Sequence, residues 1–249
     1  DLVNELEIRL IKAVKRQMLS DVPLGFFLSG GLDSSILVAI ARKLYPYKQI
    51  NCYTIKNDPI GGVVDDLQYA KKVAKFLNVN LKIIDAKSNI LNHFDKVIYH
   101  LDEPQADPAA IHVYNICKAA REDGIKVLIG GTAGDDVFSG YRRHQALRIE
   151  LLFEKTPLFL RILFKKILSK FNQKNNFVRK LNKLTANIEK TKEYRLMGYF
   201  SWINENTLKN LFLVKNNYNC YSYFEKLNKS IEKETSDLNR MLFWEINTF

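Results

Sequence analysis

Residues 24–44 read LGFFLSGGLDSSILVAIARKL. A short apolar run, 24–28, leads into Ser29-Gly30-Gly31-Leu32-Asp33-Ser34-Ser35, and apolar residues at helical spacing follow over 34–44. A strand, a glycine turn and a helix in that order form the opening of a βαβ unit. In parallel α/β sheets ligands bind beyond the carboxyl ends of the strands, which here is the stretch 29–33. A helix N-terminus offers unpaired N–H groups and a partial positive charge. Glycines let that backbone lie directly against an anion. Ser29, Gly30, Gly31 and Ser34 therefore read as a phosphate cradle. Asp33 would repel bare phosphate, so its presence fits a Mg²⁺ ion shared with the phosphates. No lysine follows the glycines, so this is not a Walker A loop. Taken by itself, a Gly-Gly-x-Asp turn is also an ordinary strand-to-helix connection.

Outward from this stretch the chain alternates. Residues 2–18 carry Leu2, Leu6, Leu10, Ile11, Val14 and Met18 on one helical face, stopped by Asp21-Val22-Pro23. Strands are expected at 50–55 (INCYTI), 81–85 (LKIID) and 125–130 (IKVLIG). Helices are expected at 65–78, 88–101 and 109–122, with loops at 56–64 and 102–108. The fold class that follows is α/β: a mostly parallel twisted sheet with helices on both faces, then a helical C-terminal half. We expect a nucleotide-binding region over 1–145 and a helical extension over 146–249.

The 249 residues are 47% apolar, enough for a sizeable core. No apolar run reaches the length of a membrane span, and the charged, helix-patterned start DLVNELEIRLIKAVKRQ does not read as a signal peptide. Cys52, Cys117 and Cys220 form no CxxC pair, so reduced, buried thiols in a cytoplasmic protein are expected rather than a zinc site. His93, His100, His112 and His144 show no ligand spacing. The net charge of +11 sits wholly in residues 141–249, which hold 21 Lys+Arg and 10 Asp+Glu. Such a half suits nucleic acid or anionic lipid. Its uniform Lys/Asn bias and lack of any RNA-binding signature favour solvated helix faces.

A second glycine-acid turn, GGTAGDD (130–136), follows the fourth expected strand, so Asp33 and Asp135 are placed to converge on one metal–phosphate cluster. LDEPQADP (101–108) sets acids and prolines before a long helix, either as site residues (Asp102, Glu103) or as a rigid capping loop.

These segments together resemble the synthetase domain of the asparagine synthetase family. DVPLGFFLSGGLDSSILVAIARKL is similar to its SGGxDS pyrophosphate loop, LDEPQADPAAIHVYNICKAARE to its LDEPxxDPSA segment, and VLIGGTAGDDVFSGYRRH to its LSGxGGDExFxGY segment. The likeness runs collinearly over about residues 2–144. It implies an ATP- and Mg²⁺-dependent ligase that adenylates a carboxylate, releases pyrophosphate and forms an amide with ammonia. By that resemblance Ser29, Gly30, Gly31, Asp33 and Ser34 hold pyrophosphate and metal, Leu28 and Ile55 pack the adenine region, and Gly130 and Gly131 contact the nucleotide. Asp135 is the second metal ligand, and Asp136 stands where the family has a catalytic glutamate. Thr132-Ala133 replaces a common Asp-Gly pair, and Asp136 is one methylene short. Both departures leave the acceptor open between aspartate and a related acid such as a sugar carboxylate. The implied partners are a small carboxylate, ammonia and a glutaminase domain or subunit as ammonia source. A homodimer is an option, and neither a membrane nor nucleic acid is expected. The family's glutaminase domain and its later Asp-Arg-x-x-Met segment are not found in these residues, so the chain reads as part of a longer protein or a degenerate relative. Two other readings stand beside this one: a tRNA-modifying ATP pyrophosphatase with the same loop, and a nucleotide-binding subunit without turnover.

Overall fold

The structure, a computed structural model, describes residues 1–56, 66–85, 90–103, 107, 109–171, 175–201, 203, 205–211, 219 and 221–248. Most of the expected 56–64 loop, residues 104–106 and 108 of the acidic proline segment, and Cys220 lie outside them. Chain contacts divide the molecule into two compact units, Asp1–Thr132 and Ala133–Phe249.

In the first unit the elements run α1 (Leu2–Gln17), β1 (Leu24–Phe27), α2 (Leu32–Leu44), β2 (Asn51–Lys56), α3 (Asp66–Leu77), β3 (Asn80–Asp85), α4 (Ile90–Tyr99), α5 (Ala109–Glu122) and β4 (Val127–Ile129). The four strands form one parallel sheet in the order β3-β2-β1-β4. Parallel neighbours need crossover helices, and each crossover here is one of the amphipathic segments seen in the sequence. Because strand side chains alternate, the sheet carries two cores. Phe26, Leu28 and Cys52 pack with Val38 of α2 and Ala70 and Ala74 of α3. Phe27, Tyr53, Ile55 and Leu128 pack with Ile116 and Ala120 of α5. Helices therefore cover both faces. Each fully buried Phe or Leu contributes roughly 1.5–3 kcal/mol through removal of apolar surface from water.

Three sequence expectations change at this level. The apolar stripe of α1 is only half used: Val14 and Met18 enter the core, whereas Leu2 and Leu6 stay exposed, since only the C-terminal half of the helix reaches the first core. Cys52 is buried, its thiol pushed up to about 12 by desolvation, but Cys117 is exposed on α5. The helix after the first turn begins at Leu32, two residues before the expected Ser34, which draws Asp33 into its first turn.

The second unit is helical among its described residues: α6 (Gly134–Phe138), α7 (Arg142–Gln145), α8 (Leu147–Lys155), α9 (Leu158–Leu168), α10 (Asn176–Thr185), α11 (Lys192–Gly198), α12 (Glu205–Leu211), α13 (Ser222–Asn228) and α14 (Asp237–Thr248). Its core is aromatic. Trp244 lies between Phe200 and Phe224, with ring centroids 5.9 and 5.4 Å away and edge-on planes. Beside it the buried carboxylate of Glu150 takes two bonds from Arg195 (2.9 and 2.7 Å) and one from Tyr199 (2.5 Å). A buried charge of this kind persists only when its lone pairs are filled.

Candidate active site

The glycine turn of residues 29–34 sits at the carboxyl end of β1. Leu28 N–H donates to the Tyr53 carbonyl at 2.9 Å, the last rung before the chain leaves the sheet. Gly30 then takes φ +85°, a left-handed conformation that favours glycine. A Cβ at Gly30 would lie 2.3 Å from the backbone nitrogen of Ala70, so α3 packs directly on this position. Gly31 is the N-cap of α2 and supplies no side-chain cap. The first-turn amides of α2 are thus left without the side-chain acceptor that most helices place there. Hydroxyls frame the turn instead. Ser29 Oγ accepts from Gly31 N–H at 3.2 Å and lies 3.1 Å from Ser34 Oγ, while Ser34 and Ser35 donate to the Gly31 carbonyl at 3.2 and 2.7 Å. Ser29 and Gly31 are exposed, Asp33 is half-buried and Ser34 is buried.

β4 runs parallel beside β1, with Phe26 opposite Ile129, so the second glycine turn leaves the same rim. The two turns touch. A Cβ on Gly131 would lie 2.7 Å from Ser34 N and 2.8 Å from the Asp33 carbonyl carbon. Gly131 therefore rests against the backbone at the start of α2, an approach only glycine permits. Gly130 is less crowded, with Phe27 at 3.4 Å as its nearest neighbour.

Leu28 and Ile55, which the family resemblance assigns to the adenine region, lie against different cores. Leu28 is wholly buried in the core beneath α2 and α3, and Ile55 joins the opposite core under α5. Leu28 serves as the floor of the turn. On the α5 face a cavity of about 960 Å³ opens among Phe27, Leu101, Val113, Cys117 and Leu128, and the glycine turn is not part of its lining.

In the second unit Asp135 and Asp136 occupy the first turn of α6, where the helix dipole favours acids. Ala133, its N-cap, is held at φ +74°. The carboxylate of Asp135 lies flat on Gly140: a Cβ there would overlap its Oδ1. Asp136 and Asp135 lie near Tyr141; burial, together with the charges of Asp136 and Asp135, raises the pKa of its hydroxyl. The Arg143 guanidinium stacks 4.0 Å over the Tyr141 ring and pairs with Glu245 of α14, with Nε donating at 3.0 Å. His144 lies beneath. Gly140 N–H donates to its Nδ1 at 3.4 Å, which leaves Nε2–H facing Glu245 at 3.4 Å. Burial, reinforced by Arg143, lowers the His144 pKa, consistent with this neutral tautomer. None of Gly140, Tyr141, Arg143, His144 or Glu245 was expected as part of a site. The lone acid in the apolar run LFWEI was the available signal for Glu245.

Among the described residues no group of three or more His, Cys, Asp and Glu side chains is arranged to hold a metal. A carboxylate such as that of Asp33 has the hard oxygen character that suits magnesium bound largely through phosphate oxygens.

The family model for asparagine synthase matches residues 5–249. The chain belongs to the asparagine synthase family. It is 32% identical over 157 residues to asparagine synthetase [glutamine-hydrolyzing] 1 of Bacillus subtilis, covering 63% of this chain and 24% of that protein. It is 33% identical over 168 residues to putative asparagine synthetase [glutamine-hydrolyzing] 2 of Methanocaldococcus jannaschii (67% and 32% covered). Asparagine synthetase B of Escherichia coli is 32% identical over 171 residues, covering 61% of this chain and 30% of that protein. The chain thus spans about a quarter to a third of the length of the curated relatives it matches.

Proposed function

We propose that this asparagine synthase family chain carries the ATP-dependent half of amide formation. A carboxylate oxygen attacks the α-phosphorus of ATP, pyrophosphate leaves, and the acyl-adenylate is then opened by ammonia to give an amide and AMP. The observation that carries the reading is the contact of Gly131 with the start of α2, which brings two glycine turns to one sheet rim around an uncapped helix N-terminus. Backbone amides of 29–34 would take the β- and γ-phosphate oxygens, and the Ser29 and Ser34 hydroxyls would orient them. Asp33 would hold Mg²⁺, which when bound neutralises phosphate charge as pyrophosphate departs. Gly130 and Gly131 would admit the nucleotide to the rim, with Leu28 and Ile55 shaping its base. Asp135 is proposed as a second magnesium ligand. Asp136, near Tyr141, is proposed as the acid–base group of the acceptor step. The protein's part is then chiefly to position reactants and stabilise charge.

The proposed acceptor is aspartate or a related acid, and a glutaminase domain or subunit is the proposed source of ammonia. The test is pyrophosphate release from ATP with ammonium and Mg²⁺, screened over aspartate and sugar carboxylates, with Asp33→Ala beside the native chain. We expect acid-dependent release from the native chain and a loss of at least about a hundredfold in the variant. Equal release by both would remove Asp33 from the site.

A further inference from the structure

The second unit contains a helix turned inside out. Along α9, Phe159, Leu160, Leu163, Phe164 and Ile167 recur at the spacing of one helical face, and every one is exposed, Phe159 at 67% and Leu163 at 51%. The opposite, inward side carries Leu168 and Ile162 together with two cations, Arg161 and Lys165. Lys165 is tied inward to the Ala186 carbonyl and to Glu189, each at 3.1 Å. The neighbouring helix α10 adds Phe177, exposed at 68%. Exposed cations accompany these residues: Lys166 on α9, Lys170 just past its end, and Lys180 and Lys183 on α10. Residues 155–188 carry nine Lys and Arg and no Asp or Glu. The expectation that the basic half consists of solvated helix faces fails here, because the solvated face of α9 is its apolar one.

An exposed apolar face within a stretch of one sign of charge asks for a partner that is both apolar and anionic. A second copy docking through this same face offers the same dense positive charge and would be repelled. Nucleic acid satisfies the cations and stacks on phenylalanine, but has no use for exposed leucine and isoleucine side chains. A bilayer with acidic headgroups meets both demands: acyl chains receive Leu, Ile and Phe while Lys and Arg stay at phosphate level. No described helix is long and apolar enough to cross a membrane, so α9 would lie in the interface rather than span it. We infer that α9, flanked by α10, docks the protein reversibly onto an anionic lipid surface. This surface is separate from the glycine turns and does not depend on the amide-forming reading.

The test is cosedimentation of the whole chain with vesicles of equimolar phosphatidylglycerol and phosphatidylcholine, against vesicles of phosphatidylcholine alone. The expected result is about tenfold greater binding to the anionic vesicles, reversed by high salt. Leu163→Ser combined with Ile167→Ser, at exposed positions that leave the fold intact by circular dichroism, is expected to lower that binding at least about tenfold. Lys166→Glu combined with Lys170→Glu is expected to remove the preference for anionic vesicles. Equal binding to both vesicles, or none to either, would overturn the inference. So would retention on a short RNA that anionic vesicles fail to displace, or a self-associated chain that the Leu163→Ser, Ile167→Ser variant turns into a monomer.

Discussion

At the scale of single residues, the two glycine turns depend on backbone positions that a sequence marks unevenly. Gly30 and Gly131 are legible because glycine is the residue that tolerates φ +85° and a 2.7 Å approach to the start of α2. Ala133 is not legible in that way. It occupies φ +74° with a Cβ, at the first of the two acids' helix, where a left-handed alanine costs roughly 1–2 kcal/mol. Ala133→Gly is therefore expected to raise stability by about 0.5–1 kcal/mol after the entropic cost of glycine. Urea unfolding would show a higher midpoint, and a lower one would mean that the left-handed turn is not strained. The departure from the family's Asp-Gly pair thus acquires a physical meaning: this chain spends stability to hold its acidic turn.

At the scale of elements, strands and crossover helices were readable because their periodicities differ, and β1 to β4 fall within about two residues of expectation. What joins elements was not readable, because partners lie far apart in sequence. Arg42 at the end of α2 donates to the carbonyls of Leu77 (2.9 Å), Asn78 (2.5 Å), Pro46 (2.9 Å) and Lys48 (3.0 Å), fastening α2 to the end of α3. Arg42→Ala is expected to cost about 2 kcal/mol or more, seen as a lowered denaturation midpoint. Arg42→Lys should recover little of it, since an ammonium lacks the planar fork. The link from α6 through Tyr141 and Arg143 to Glu245 of α14 spans over a hundred residues, which is why only Asp135 and Asp136 of that assembly could be named from sequence. It also carries a pH dependence. The folded His144 pKa lies below the ordinary value of 6.5, so the unfolded chain takes up the proton first. The resulting stability is fully present above about pH 6.5 and declines as pH falls toward the folded value. His144→Gln should flatten that part of the melting-temperature profile between about pH 7.5 and 5.5. An unchanged slope would mean that His144 does not titrate on unfolding.

At the scale of the whole molecule the charge division is plain in the sequence: acids and bases balance over 1–140, and the excess of +11 lies in 141–249. Its consequence was not, because composition reports how many lysines there are and not that α9 turns its leucines outward. The family was legible from three collinear segments, and the parallel sheet follows the same order. The claim on which function depends is narrower: the rim formed by residues 29–34 and 130–131 receives the triphosphate of Mg-ATP. Amide hydrogen exchange of the chain with and without Mg-ATP tests it most directly. Slowed exchange at 29–34 together with 130–131 is predicted, with little change at the cavity under α5. Unaltered exchange at both turns while nucleotide is bound, or protection confined to the α5 cavity, would contradict it.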